Sequence, residues 1–426
     1  MEKREYPQVQ ETIYYEKMDN GLEVYILPKP GFQKTFATFA TKYGSVDNHF
    51  QVEGKEDIRV PDGIAHFLEH KMFEEPEGDI FATFAQQGAS ANAFTTFDRT
   101  VYLFSATGQI EENLRTLIDF VQHPYFTEES VNKEKGIIAQ EINMYRDNAD
   151  WRVYFGLIEA MYKEYPIYID IAGTVESIQS ITKDTLYECY NTFYHPSNML
   201  LFIVGGVEPE AIMQLVRENQ AAKTYTAQGQ IQRHFAAEPA EVRQSKLVTK
   251  LPVSMPKCLF GCKEAPSGKI GRELLEQEIA TKVMMDLMLG SSSPLSQSLY
   301  ESGLMSDSIG HEYNCDPAYS FSIIGGETKD PDELVRRVIE AVDAKKEEGF
   351  SQEAFERIRN KRMGSYLRML NSPETIANEF TKYKFRGTDL FDILSVYETL
   401  QLKDIHDRLH SHFNWERLAV SIVEQP

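Results

Sequence analysis

Two hydrophobic periods alternate along this chain and then recur. Residues 101–106, Val-Tyr-Leu-Phe-Ser-Ala, form an apolar run of strand length, and a polar turn leads into residues 111–121, where apolar positions fall at helical spacing. Residues 318–323 repeat the run, and Gly325 and Gly326 lead into 332–342, again strand, turn and amphipathic helix. A second pair follows. Residues 181–184 start a helix that runs to Phe193 and feeds the apolar strand 199–205, while 401–404 start one that runs to Phe413 and feeds 418–423. Lys183 and Lys403, Phe193 and Phe413, and Ile203 and Val423 are separated by one offset, and Tyr102 and Tyr319 by nearly the same one. The pattern predicts two copies of one domain. The polar stretch 224–230 is the natural joint, so the expected boundaries are 1–223, a linker over 224–247, and 248–426. Strands and helices alternate too irregularly for a doubly wound parallel sheet. The expected class is α+β, two homologous domains, each a mainly antiparallel sheet with helices packed on one face.

Composition narrows the partners. At 426 residues the chain exceeds one ordinary core, and 42% hydrophobic with 26% charged residues is the balance of a folded protein. A net charge of -21 argues against binding to nucleic-acid phosphates or to anionic membrane surfaces. No apolar run approaches the length of a membrane span, and residues 1–7 lack the apolar core of a signal peptide, so the expected compartment is cytoplasmic. Cys189, Cys258, Cys262 and Cys315 include no Cys-x-x-Cys pair and indicate neither a disulfide framework nor a thiolate zinc site; Cys258 and Cys262, in a strand-like stretch, are read as buried free thiols.

The candidate chemistry lies at His66-Phe67-Leu68-Glu69-His70. Two imidazoles four apart on a helix share a face and can grip one metal ion, with Glu69 in reach of a bound water. This is the inverted form of the His-Glu-x-x-His zinc-protease motif. A hydrolytic zinc site needs a third protein ligand, and Glu141 is the candidate, on a helix that opens with Thr127 as N-cap and acids in the first turn. Glu134 stands seven residues earlier, two helical turns away on the same face, placed to orient a ligand or a substrate group. The plainer alternative is that the histidines sit hydrogen-bonded on a half-buried helix and the acids are solvated. The second copy has no such set: 274–287 contains no histidine, and 355–368 is basic where the first copy is acidic. One metal site per chain follows. Met284, Met285 and Met288 are read as core, and His406, His410 and His412 as a solvated helix face.

These residues, with Gly63-Ile64-Ala65 before the motif, 88–96, Asp98-Arg99-Thr100-Val101-Tyr102, 134–141 and 193–199, make the chain resemble the pitrilysin/insulinase family of zinc metallopeptidases over nearly its whole length. It is most similar to the bacterial insulinase-like members of the half-length branch that includes the mitochondrial processing peptidases. The resemblance implies one Zn²⁺ per chain bound by His66, His70 and Glu141, with Glu69 as general base and Glu134 in support. It implies that substrate adds as a strand to a sheet edge formed by Ser90, Ala91, Asn92, Ala93 and Phe94. The implied activity is endopeptidase cleavage of peptides or unfolded segments inside a clamshell chamber. Two departures stand out. The gap from His70 to Glu141 is a few residues shorter than in the family. Active members also carry an Arg and a Tyr after a small-residue loop in the second domain, where this chain has Tyr300 and Ser306. A zinc-less paralogous subunit that supplies this clamp is the expected partner, a homodimer the runner-up. A non-catalytic structural subunit of the same fold is the alternative, and a zinc hydrolase of non-peptide amides a third reading.

Overall fold

The computed structural model describes every residue except Glu77 and divides into two compact units. The first comprises Met1–Ile142, Ile169–Phe235 and Met369–Phe385; the second comprises Asn143–Tyr168, Ala236–Arg368 and Arg386–Pro426. The first unit is built on a seven-stranded sheet in the order Glu2–Tyr6, Glu11–Lys17, Glu23–Pro28, Met199–Gly205, Thr35–Thr41, Thr100–Ala106, Ala89–Thr95. The second carries five strands in the order Lys246–Lys250, Leu418–Glu424, Lys257–Glu264, Ser320–Glu327, Gly310–Cys315. In each sheet one neighbouring pair is parallel, Glu23–Pro28 with Met199–Gly205 and Lys246–Lys250 with Leu418–Glu424, and the other pairs are antiparallel. The duplicated, mainly antiparallel α+β architecture is the one the periodicity predicts, and the apolar run 199–205 is a strand over that very span.

Met199–Gly205 and Thr35–Thr41 are buried at every position, because both faces of the sheet are covered. One face, with Val24, Ile26, Ala37, Phe39, Leu201, Ile203, Tyr102 and Phe104, forms the main core with the helices that follow in sequence. The other is covered by the helix Pro373–Phe385, which arrives from the far half of the chain. Its Phe380 stacks on Phe202 with ring centroids 4.3 Å apart and meets Tyr25 edge-on at 5.0 Å, while Thr381 and Thr38 bring their hydroxyls to 3.4 Å. The second unit mirrors this with Ala149–Met161, which packs on Leu418–Glu424 and Lys257–Glu264. Gly156 permits that approach, since a Cβ there would lie 2.6 Å from Ser421 Oγ. Each unit thus takes a helix from the other half of the sequence, an exchange that the boundaries 1–223 and 248–426 leave out. Periodicity marks a helix and its apolar face, but not which sheet that face will cover.

Cys258 and Cys262 are free and buried, and Met284, Met285 and Met288 belong to the core, as the sequence predicts; Cys189 and Cys315 are free and buried as well. No helix among the described residues is long and apolar enough to cross a membrane.

Candidate metal centre

The motif helix, Ile64–Met72, begins at Gly63, whose φ of 87° lies in the left-handed region and whose missing Cβ would stand 2.3 Å from the Ala172 carbonyl oxygen. Ile64, Ala65, Phe67, Leu68 and Met72 anchor the helix in the core. That anchoring fixes the remaining face, where the rings of His66 and His70 meet edge-on with centroids 4.6 Å apart. The helix Glu128–Arg146 is capped by Thr127, whose hydroxyl accepts from the Ser130 N–H at 3.1 Å. Val131, Ile138 and Ile142 bury its inner side, and the same side presents Glu134 and Glu141 to the histidines.

Ligating atoms of His66, His70 and Glu141 lie within 4.8 Å of one another, the only such group of three or more His, Cys, Asp or Glu among the described residues. The two oxygens of Glu141 stand 3.8 Å from His66 Nε2 and 3.5 Å from His70 Nε2. These spacings are long for hydrogen bonds and fit a shared ion, because two ligands each about 2.1 Å from tetrahedral zinc stand about 3.4 Å apart. Two imidazoles and a carboxylate are also the donor set of catalytic zinc sites. Burial, with the neighbouring His70 charge, pushes the His66 imidazole down to about 3, so the ring is neutral with its lone pair available. Burial works against the His70 cation too, but the Glu134 hydrogen bond and the Glu141 and Glu69 carboxylates outweigh it and raise its pKa. The His70 Nδ1···Glu134 Oε1 contact of 3.0 Å directs Nε2 toward Glu141. Glu69 is 7% exposed, and burial pushes its carboxyl up while the Thr95 hydroxyl opposes that shift.

Ala89–Thr95 forms the outer edge of the sheet, paired on one side only, with Thr100–Ala106. Ala89, Ala91 and Ala93 turn toward the core and let the motif helix approach, whereas Ser90 and Asn92 are exposed and Phe94 is half-buried. The sequence pattern presents this strand, Thr95 included, only as a docking edge and gives no role to the Thr95 hydroxyl, which donates to Glu69 Oε2 at 2.6 Å. Its alternation in the strand, two residues beyond Ala93 on the core-facing side, was the available signal.

The second unit fills the corresponding place differently. Asp286, on the helix Gly271–Leu289, receives His311 Nε2 at 2.8 Å from the edge strand Gly310–Cys315 and Arg362 Nε at 2.7 Å from the helix Gln352–Met369. An ion-paired cluster thus joins the elements that correspond to those of the candidate metal centre. Tyr300, on the helix Pro294–Glu301, and Ser306, in the loop beyond it, are both exposed. The histidines of the last helix do not form one solvated face. His412 is 1% exposed and bonds Glu264, and His406 Nε2 accepts from the Phe350 N–H at 2.9 Å. Ile405, Leu409 and His412 fall at helical spacing on the buried stripe, so the helix's own amphipathic register carries His412 inward.

Comparison with known proteins places these observations in a family. The family described as Insulinase (peptidase family M16) matches residues 56–175, and the one described as peptidase M16 inactive domain matches 180–362. The chain is 54% identical over 98% of its length, and of the relative's, to a protein named uncharacterized zinc protease YmfH of Bacillus subtilis. It is 26% identical to the bovine mitochondrial-processing peptidase subunit beta over 43% of this chain and 40% of that one. An M16-like peptidase from Alicyclobacillus acidocaldarius is 42% identical and superposes with a TM-score of 0.95 over 98% of this chain and 99% of that one. The fold also matches the periplasmic protease PqqL of Escherichia coli, with a TM-score of 0.76 at 16% identity, over 100% of this chain but 48% of that one.

Proposed function

The chain belongs to the insulinase family of M16 peptidases, and from that premise we propose that it is a zinc-dependent endopeptidase whose metal is held by His66, His70 and Glu141. The observation that carries this reading is the convergence of two imidazoles and a carboxylate from two helices, with a buried carboxylate, Glu69, one residue from the second imidazole. Zinc bound there would supply Lewis-acid chemistry, polarising a scissile carbonyl and acidifying the attacking water. Glu69 accepts the proton of that water and returns it to the leaving nitrogen, so no covalent enzyme intermediate is needed. Glu134 holds the His70 ring through Nδ1 and keeps Nε2 turned to the site. The free edge of Ala89–Thr95 receives the substrate backbone as an added strand; main-chain hydrogen bonds supply affinity without strict demands on sequence.

The same chain is the zinc-bearing subunit of a dimer completed by a paralogous, zinc-less partner. Tyr300 and Ser306 stand where the Arg and Tyr that hold the substrate backbone are expected, and the fold corresponds to about half of PqqL. The test is zinc content and cleavage of a quenched peptide library by the chain alone, by E69Q, and by a mixture with its nearest zinc-less paralogue. About one zinc per chain, with cleavage that appears in the mixture and vanishes with E69Q, is the expected result. Zinc with full activity in the chain alone overturns the partner, and no zinc under any condition overturns the enzyme and leaves a structural subunit.

A further inference from the structure

We propose that Thr95 is a positioning residue for Glu69, tying the base to the strand that receives the substrate. This rests on the peptidase reading and adds to it a side chain that does not bind the metal. Glu69 has two carboxylate oxygens, and only one can take a proton from the attacking water. Thr95 Oγ1 donates to Oε2 at 2.6 Å, which fixes the plane of the carboxylate and leaves Oε1 for the transfer.

The direction of that hydrogen bond is set by its surroundings. Thr100 is fully buried, and its hydroxyl donates to the Tyr43 carbonyl at 2.9 Å while lying 3.2 Å from Thr95 Oγ1. Whether the Thr100 proton is committed to Tyr43 or shared with Thr95, the Thr95 proton has Glu69 as its acceptor. Tyr43, Thr100, Thr95 and Glu69 thus form one polar line from the sheet to the base. Thr95 and Thr100 are directly opposite in the antiparallel register, so the line is held by the ladder itself rather than by a loop. Leu68 and Met72 of the same helix are buried, which holds the backbone that carries Glu69, and the hydroxyl then restricts rotation of the carboxylate.

Thr95 is also the last residue of the edge strand. A peptide added along Ala89–Thr95 would run past the residue whose hydroxyl holds Glu69, so the base and the proposed substrate edge share one strand.

The comparison is between T95V, which keeps the β-branched shape and loses the donor, and T95S, which keeps the donor and loses the methyl. In the holoenzyme with whatever partner activity requires, T95V is expected to lower kcat about 10-fold or more, the size of losing one charge-assisted hydrogen bond, with KM and zinc content unchanged. T95S is expected to stay within about threefold of the parent. Crystal structures of the zinc-loaded variants supply a second readout: the Glu69 carboxylate leaves its place in T95V and keeps it in T95S. Unchanged kcat in T95V, an equal loss in T95S, or an undisplaced Glu69 in T95V overturns the proposal. Inactivity of the parent in every mixture instead defeats the peptidase reading, and the crystal structures then decide the positioning role alone. If T95V does not fold, T95A, which also loses the donor, is compared with T95S: a lower kcat and a displaced Glu69 in T95A alone are expected, and unchanged kcat with Glu69 in place in T95A overturns the proposal.

Discussion

At the residue scale, burial and partners decide what each ionisable group can do. Glu134 is 6% exposed and spends its carboxylate on His70, so on the proposed reading its removal is expected to act on metal binding rather than on the reaction directly. E134A is expected to weaken zinc binding about 10- to 100-fold, read by titration against a competing chelator; an unchanged affinity would reduce Glu134 to an ordinary buried acid. Asp286 offers a contrast in the unit without the candidate metal centre. Burial alone would raise its pKa, but hydrogen bonds from His311 and Arg362 hold the carboxyl down at about 2. A carboxyl depressed in the folded state contributes stability that is fully present above its ordinary value of 3.8 and disappears as pH falls toward 2. The urea stability of D286N is therefore expected to change less than that of the parent across this acid window. Parallel curves would show that the ion pairs contribute nothing through Asp286. The histidine pair and Glu69 stood out in the sequence because a four-residue spacing on a helix has a direct chemical meaning. Thr95 did not, because a hydroxyl becomes part of a site only when the fold brings a carboxylate to it.

At the scale of elements, the reading that held was periodicity, and the reading that fell short was neighbourhood. The helix Ala149–Met161 sits against its sheet only because position 156 has no side chain. Helix propensity alone predicts that replacing this glycine with alanine stabilises by about 1 kcal/mol. The Cβ position itself lies 2.6 Å from Ser421 Oγ and 3.2 Å from Leu247, so these contacts oppose that gain already for alanine and outweigh it for a larger residue. G156V is expected to lose about 1–3 kcal/mol in urea unfolding, and a stability equal to the parent's would mean that the helix can shift outward without cost. The motif helix depends on the same kind of contact at Gly63, where a carbonyl oxygen takes the space of a side chain.

At the scale of the whole molecule, two cores are each completed by a segment from the other half of the chain. A fragment of residues 1–223, which looks like a domain by sequence, lacks the helix Pro373–Phe385 and leaves Tyr25 and Phe202 uncovered. It also carries Ala149–Met161, whose buried Val153, Phe155, Leu157 and Ile158 have no sheet to cover. Such a fragment is expected to aggregate or to bind a dye for exposed apolar surface, and the same fragment extended by residues 369–385 to recover part of its cooperative unfolding. A soluble fragment that unfolds cooperatively without the extension would show that the exchanged helix is dispensable. By itself the sequence determined the duplication, the α+β class, the helices and strands, and the placing of two histidines and two acids at metal-site spacing, because each of these follows from periods of two and 3.6 residues within short windows. Only the tertiary structure decided the exchange of helices, the inward turn of His412, the Asp286 cluster in the second copy and the hydroxyl behind Glu69. Each depends on which distant surface a side chain meets, and a local period records that a face is apolar but carries no address for its partner.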